Sequence, residues 1–86
     1  MTSFRYQVIF TKQASKDVVK LAPKLREKLK EILRNKIAVA PESGKKLIGD
    51  LQGYYSVRLS FQDRIVYRIE DERCLVLVVR AKGHYE

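Results

Sequence analysis

The chain has 86 residues, 45% of them hydrophobic, which is enough for one modest core and leaves no room for a second domain. Its 18 Lys and Arg against 10 Asp and Glu give a formal charge of +8, a field that favours nucleic acid or an acidic protein as partner. A single Cys excludes an internal disulfide, a single His leaves no metal-ligand set, and no apolar run approaches the roughly 20 residues of a membrane span. With no apolar signal segment at its start, the chain reads as soluble and cytoplasmic, with no membrane association and no cofactor.

In chain order, Tyr6 to Phe10 has the β-branched and aromatic enrichment of a strand. Thr11 is placed to cap a helix in which Ala14, Val18, Leu21 and Ala22 form one apolar stripe. Pro23 ends that helix and fits the first turn of a second, with Leu25, Leu29, Ile32, Leu33 and Ile37 on one face. The other face is basic, through Lys24, Lys28, Arg34 and Lys36 among others. These helices form a hairpin that stops before Pro41, because the residue ahead of a proline avoids helical geometry.

A loop over 41–53 follows, with Lys45 and Lys46 just after Gly44. Tyr54 to Leu59 then alternates, placing Tyr55, Val57 and Leu59 opposite Tyr54, Ser56 and Arg58. Arg64 to Ile69 does the same, with Ile65, Tyr67 and Ile69 opposite Arg64, Val66 and Arg68. After the polar turn Glu70 to Arg73, Cys74 to Arg80 makes the last strand, with Cys74 expected as a buried, inert thiol. Short links imply a three-stranded antiparallel meander. The expected class is therefore α+β, a strand, a helical hairpin and a meander in one domain over 1–86. One sheet face should bury the helices and leave the other free for a ligand.

The chemistry concentrates past the last strand, in Arg80-Ala81-Lys82-Gly83-His84-Tyr85-Glu86. A group that titrates near neutrality, a phenol and fixed positive charge together suit work on a phosphate ester. Arg58 and Arg64 project from neighbouring strands, and Lys45 and Lys46 can approach from the loop. Arg offers bidentate contacts to phosphate oxygens, while Lys acts as a compact charge. Each of these cations alone is ordinary surface charge; their convergence with the one His is the informative feature.

Three runs carry a family resemblance: Leu51-Gln52-Gly53-Tyr54 onward, Asp63-Arg64-Ile65-Val66-Tyr67, and Val78 to Tyr85. Together they resemble the RelE/ParE toxin superfamily, and the His84-Tyr85 ending is most similar to the YoeB-like branch of RelE-type messenger RNA interferases. The resemblance implies a RelE-like microbial ribonuclease fold and a bacterial type II toxin. Such toxins enter the A site of the 70S ribosome, cut mRNA there and are neutralised by a cognate acidic antitoxin. Arg64 matches the family's catalytic arginine, His84 and Tyr85 its terminal pair, and Arg58 a basic position on the preceding strand. Where the YoeB-like branch supplies a glutamate base, this chain has Lys45. The implied reaction is metal-independent attack of a 2′-hydroxyl on the adjacent phosphate. In it His84 is the acid, Arg64 stabilises the transition state, Tyr85 orients a base, and Lys45, Lys46, Arg58, Arg80 and Lys82 hold phosphates. Removal of the 2′-hydroxyl proton stays open between Lys45 and ribosomal RNA. Two rivals remain, a ParE-like inhibitor of DNA gyrase that cuts nothing, and a non-toxic binding module using the same basic face.

Overall fold

The computed structural model describes residues 5–49 and 52–81. Strand β1, Gln7–Phe10, leads directly into helix α1, Lys12–Lys20. Thr11 joins them in an extended conformation, and its Oγ1 accepts the Ala14 N–H at 3.1 Å, satisfying a donor the helix cannot. Helix α2, Pro23–Ile32, starts on the proline as expected. It runs on into a π-helical turn, Leu33–Ile37, where the Ala38 N–H reaches back five residues to the Leu33 carbonyl at 2.8 Å. Leu29, Leu33 and Ile37, spaced by four, are all buried along this continuous helix. Ala22, assigned above to the apolar stripe, is instead the exposed residue that caps α2, because α1 ends at Lys20.

The sheet has five strands in the order β1-β5-β4-β3-β2. Strands β3 (Tyr54–Arg58), β4 (Arg64–Glu70) and β5 (Leu75–Arg80) form the antiparallel meander. Strand β1 pairs parallel with β5, Val8 opposite Val76 and Phe10 opposite Val78. The fifth strand, β2, is Lys45–Lys46, pairing antiparallel with Ser56 and Tyr55 inside what the sequence presents as a loop. Two residues are too few to show an alternation, so no periodic signal marks it.

Leu21, Leu29, Leu33 and Ile37 pack with Ile65, Tyr67, Val76 and Val78 in one cluster, joined by the inward residues of β1 and β3. Tyr67 is fully buried, and its ring lies against Tyr55 with centroids 5.6 Å apart and planes 15° from parallel. Its hydroxyl donates to the Pro41 carbonyl at 2.6 Å. Burial pushes this phenol up to about 12 despite an opposing hydrogen bond from the Gly44 N–H. Gly44 is small for a reason: a Cβ there would run into the Tyr67 hydroxyl and lie 3.1 Å from the Ser56 carbonyl. The Tyr67 ring thus fixes where β2 begins.

Cys74 departs from expectation. It is part-exposed and left-handed (φ 49°, ψ 53°), closing the short 3₁₀ turn Asp71–Arg73, and β5 begins one residue later. The polar turn is pinned from outside by Tyr6, whose hydroxyl donates to Asp71 Oδ1 at 2.7 Å.

Candidate nucleic-acid interface

The register of β2, β3 and β4 decides which cations share a surface. Arg58 stands directly opposite Arg64, and one row further along, Ser56 stands between Lys45 and Val66. Residues opposite one another point to the same face, as do residues two apart on a strand. Lys45, Ser56, Arg58 and Arg64 therefore occupy one face of the sheet, the one turned away from Tyr55, Tyr67 and the core. Two like charges in direct cross-strand register repel. Among the described residues neither arginine has a carboxylate ion-pair partner to offset this. A phosphate group, with its negatively charged oxygens, is the kind of ligand that would relieve it.

This face is less open than the alternation implies. Ser56 is 3% exposed and Val66 1%, so the middle row is covered while Arg58 stays exposed and Arg64 partly so. The Ser56 hydroxyl is also left without a hydrogen-bond partner among the described residues. Lys46 lies one residue from Lys45 and so takes the opposite face, in register with Tyr55. There it borders a hollow of mixed lining, with Glu42 and Asp71 beside Leu47, Ile48 and Ile69. The structure thus brings Lys45, Arg58 and Arg64 together and separates Lys46 from them. Lys82, His84 and Tyr85 lie outside the described residues.

Arg80 has a different neighbour. Its Nε donates to Asp17 Oδ2 at 2.8 Å, and the same carboxylate oxygen accepts the buried Ala81 N–H at 3.2 Å. Gln13 adds a third bond, to Oδ1, at 3.2 Å. Asp17 is 2% exposed; burial pushes its carboxyl upward, but bonds from Arg80, Ala81 and Gln13 and the charge of Arg80 hold it below its ordinary value. A bulge in β5 prepares this contact. Tyr67 is opposite Val78 and Val66 opposite Arg80, leaving Val79 as the extra residue that bends the strand. Thr11 completes the clamp, its N–H bonding to the Val78 carbonyl at 3.0 Å and its Oγ1 to that of Val79 at 3.3 Å. Asp17 therefore holds the chain at the end of β5, at Arg80 and Ala81. Sequence inspection overlooked it, although the signal exists: Asp17 sits three residues after Ala14 and four before Leu21, inside the apolar stripe.

A second surface lies on the helical side. A groove of about 430 Å³ has Phe10, Val18 and Leu29 among its lining, with Arg26, Lys30 and Arg34 spaced by four along one side. No helix among the described residues is long and apolar enough to cross a membrane.

Comparison with known proteins identifies the family. The chain matches, over residues 8–84, the family described as the ParE toxin of the type II toxin–antitoxin system parDE. No curated protein matches it. Among solved structures, the RelBE2 toxin–antitoxin complex of Mycobacterium tuberculosis is 30% identical with a TM-score of 0.85, covering 99% of this chain and 98% of that one. A YoeB/ParE toxin from Agrobacterium tumefaciens is 26% identical (TM-score 0.83; coverage 92% and 99%). The YoeB–YefM complex of Staphylococcus aureus is 31% identical (TM-score 0.67; coverage 94% and 99%). With a match across nearly its whole length and the sheet and helices described above, the chain belongs to the ParE toxin family, within the RelE/ParE superfamily of type II toxin–antitoxin systems.

Proposed function

We propose that this toxin is a ribosome-dependent mRNA endoribonuclease. The observation that carries the reading is the Arg58–Arg64 pair, held in cross-strand register with Lys45 on the same face. In the reaction the 2′-hydroxyl of an A-site nucleotide gives up its proton to a neutral Lys45 or to ribosomal RNA and attacks its own 3′-phosphate, forming a 2′,3′-cyclic phosphate as the 5′-oxygen of the next nucleotide leaves. Arg64 stabilises the added negative charge of the transition state, the electrostatic role that usually contributes most. Arg58 and Lys45 hold the flanking phosphates. His84, as imidazolium, protonates the leaving oxygen, and Tyr85 and Lys82 orient the RNA; these three roles rest on the sequence pattern alone. The bonded Arg80 serves by fixing the exit of the chain toward His84.

The partner is an antitoxin, as in the RelBE and YoeB–YefM complexes of the structural relatives. Charge complementarity suits an acidic amphipathic helix, its apolar face against Phe10, Val18 and Leu29 and its carboxylates beside Arg26, Lys30 and Arg34.

The test is primer extension on a defined mRNA with and without programmed 70S ribosomes. Cleavage inside the A-site codon only with ribosomes, lost in Arg64→Ala and His84→Ala while ribosome binding persists, is the expected result. The ParE description of the matching family favours one second reading, a gyrase inhibitor without nuclease activity. Absence of cleavage together with gyrase-dependent DNA breaks on expression would establish that reading instead.

A further inference from the structure

The hairpin between β3 and β4 carries Phe61 at its apex, 92% exposed. The turn is not slack. The N–H groups of Leu59 and Ser60 bond to the Asp63 carbonyl at 2.9 and 3.1 Å. The Ser60 hydroxyl donates to Asp63 Oδ2 at 3.0 Å and accepts the N–H groups of Gln62 and Asp63 at 3.2 and 3.1 Å. Leu59, fully buried, supplies the apolar anchor of the hairpin, so the fold makes no use of the Phe61 ring.

One exposed apolar side chain is ordinary by itself. Phe61 is distinguished by its neighbours. The last cross-strand pair below the turn is Arg58–Arg64, each three residues from Phe61 and so with its Cα at most about 11 Å away. An exposed aromatic ring on a hydrogen-bonded turn, close in the chain to two cations that have no carboxylate ion-pair partner among the described residues, matches what single-stranded nucleic acid requires. The guanidinium groups take phosphates and the ring takes the flat face of a base.

We propose that Phe61 is a base-stacking positioning residue: its ring covers an unpaired nucleobase whose adjoining phosphate is held by Arg58 and Arg64. The inference rests on the RNA reading above and adds a residue to it. Every base has a π-face, so the contact holds the strand in place without selecting a sequence.

The experiment is single-turnover mRNA cleavage on programmed 70S ribosomes by the full chain and by Phe61→Ala, Phe61→Leu, Phe61→Tyr and Phe61→Trp, with thermal melts of each. An exposed site leaves the melting temperatures unchanged. Phe61→Ala and Phe61→Leu lower kcat/KM by about 5- to 150-fold, the equivalent of the ~1–3 kcal/mol of one base–aromatic stack. Phe61→Tyr and Phe61→Trp restore it. The chain has no Trp, so Phe61→Trp carries the only indole, and single-stranded RNA quenches its emission whereas inorganic polyphosphate does not. Full activity in Phe61→Leu, or equal quenching by polyphosphate, overturns the stacking role and leaves the nuclease reading intact. Unchanged cleavage in Phe61→Ala with weakened neutralisation by antitoxin would make Phe61 a protein-docking anchor and also overturn it. If the unaltered protein cuts nothing on ribosomes, the RNA reading falls first and this proposal with it.

Discussion

Replacing Asp17 should cost this small protein a large part of its stability, although the residue touches no substrate. Asp17→Ala takes the acceptor from the buried Ala81 N–H, which costs about 1–3 kcal/mol for an unsatisfied donor. It also removes a charge-assisted bond to Arg80 of about 1.5–3 kcal/mol. That second contribution must be discounted, because the Arg80 side chain is 39% exposed and recovers water. The sum is about 2–4 kcal/mol, which for a domain of this size lowers the melting temperature by roughly 10–25 °C. Asp17→Asn, which keeps an acceptor oxygen, should lose about half as much. The pH dependence has a definite sign. The folded carboxyl ionises below its ordinary value, so the contribution is complete above the unfolded pKa of about 4 and disappears as pH falls through the folded value. Melts of wild type and Asp17→Asn by circular dichroism should therefore differ most at neutral pH and converge in acid. A cycle with Arg80→Met should show coupling of about 1 kcal/mol or more. A loss below ~0.5 kcal/mol at pH 7, or a gap that persists unchanged into acid, would refute the clamp.

Gly44→Ala should destabilise the fold by about 1–3 kcal/mol, since the new methyl meets the Tyr67 hydroxyl and the Ser56 carbonyl. Tyr67→Phe alone should cost about 1–2 kcal/mol through the lost bond to Pro41, yet in the Gly44→Ala background it should cost less or even help, because it removes the colliding oxygen. Strict additivity in denaturant melts would show that the two do not meet. Arg58→Gln and Arg64→Gln should abolish or cripple cleavage while leaving stability level or raised by about 0.2–1 kcal/mol, as cross-strand repulsion is relieved. A marked fall in melting temperature in either would mean that the pair holds the sheet together instead.

The order of elements was legible because each left a periodic or punctuating signal. Thr11 and Pro23 mark helix starts, the fours from Leu25 to Ile37 mark a helix face, and the twos from Tyr55 to Ile69 mark paired strands. Alternation also placed Arg58 and Arg64 on one face, though only the register shows them directly opposite. What escaped was decided by tertiary contact. Lys45 and Lys46 form a strand only because β3 offers an edge, and that pairing sends Lys46 to the other face. Cys74 looks like the first residue of an apolar strand but is consumed by the left-handed close of the preceding turn. Arg80 looks like one more surface cation until a bulge in β5 and an acid in the α1 stripe bring it into an ion pair with a buried carboxylate.

The parallel pairing of β1 with β5 sets when the fold can close during synthesis. Val8 waits for Val76, and β5 lies between β1 and β4, so β1 cannot join the rest of the sheet until synthesis has passed Arg80. At translation rates of about 5–20 residues per second, the early strand and helices spend seconds without the partner that completes their core. Such long-range closure is slow to form and gains nothing from partial assembly. The fold of this toxin therefore closes only after its last strand has been made, a delay set by topology alone.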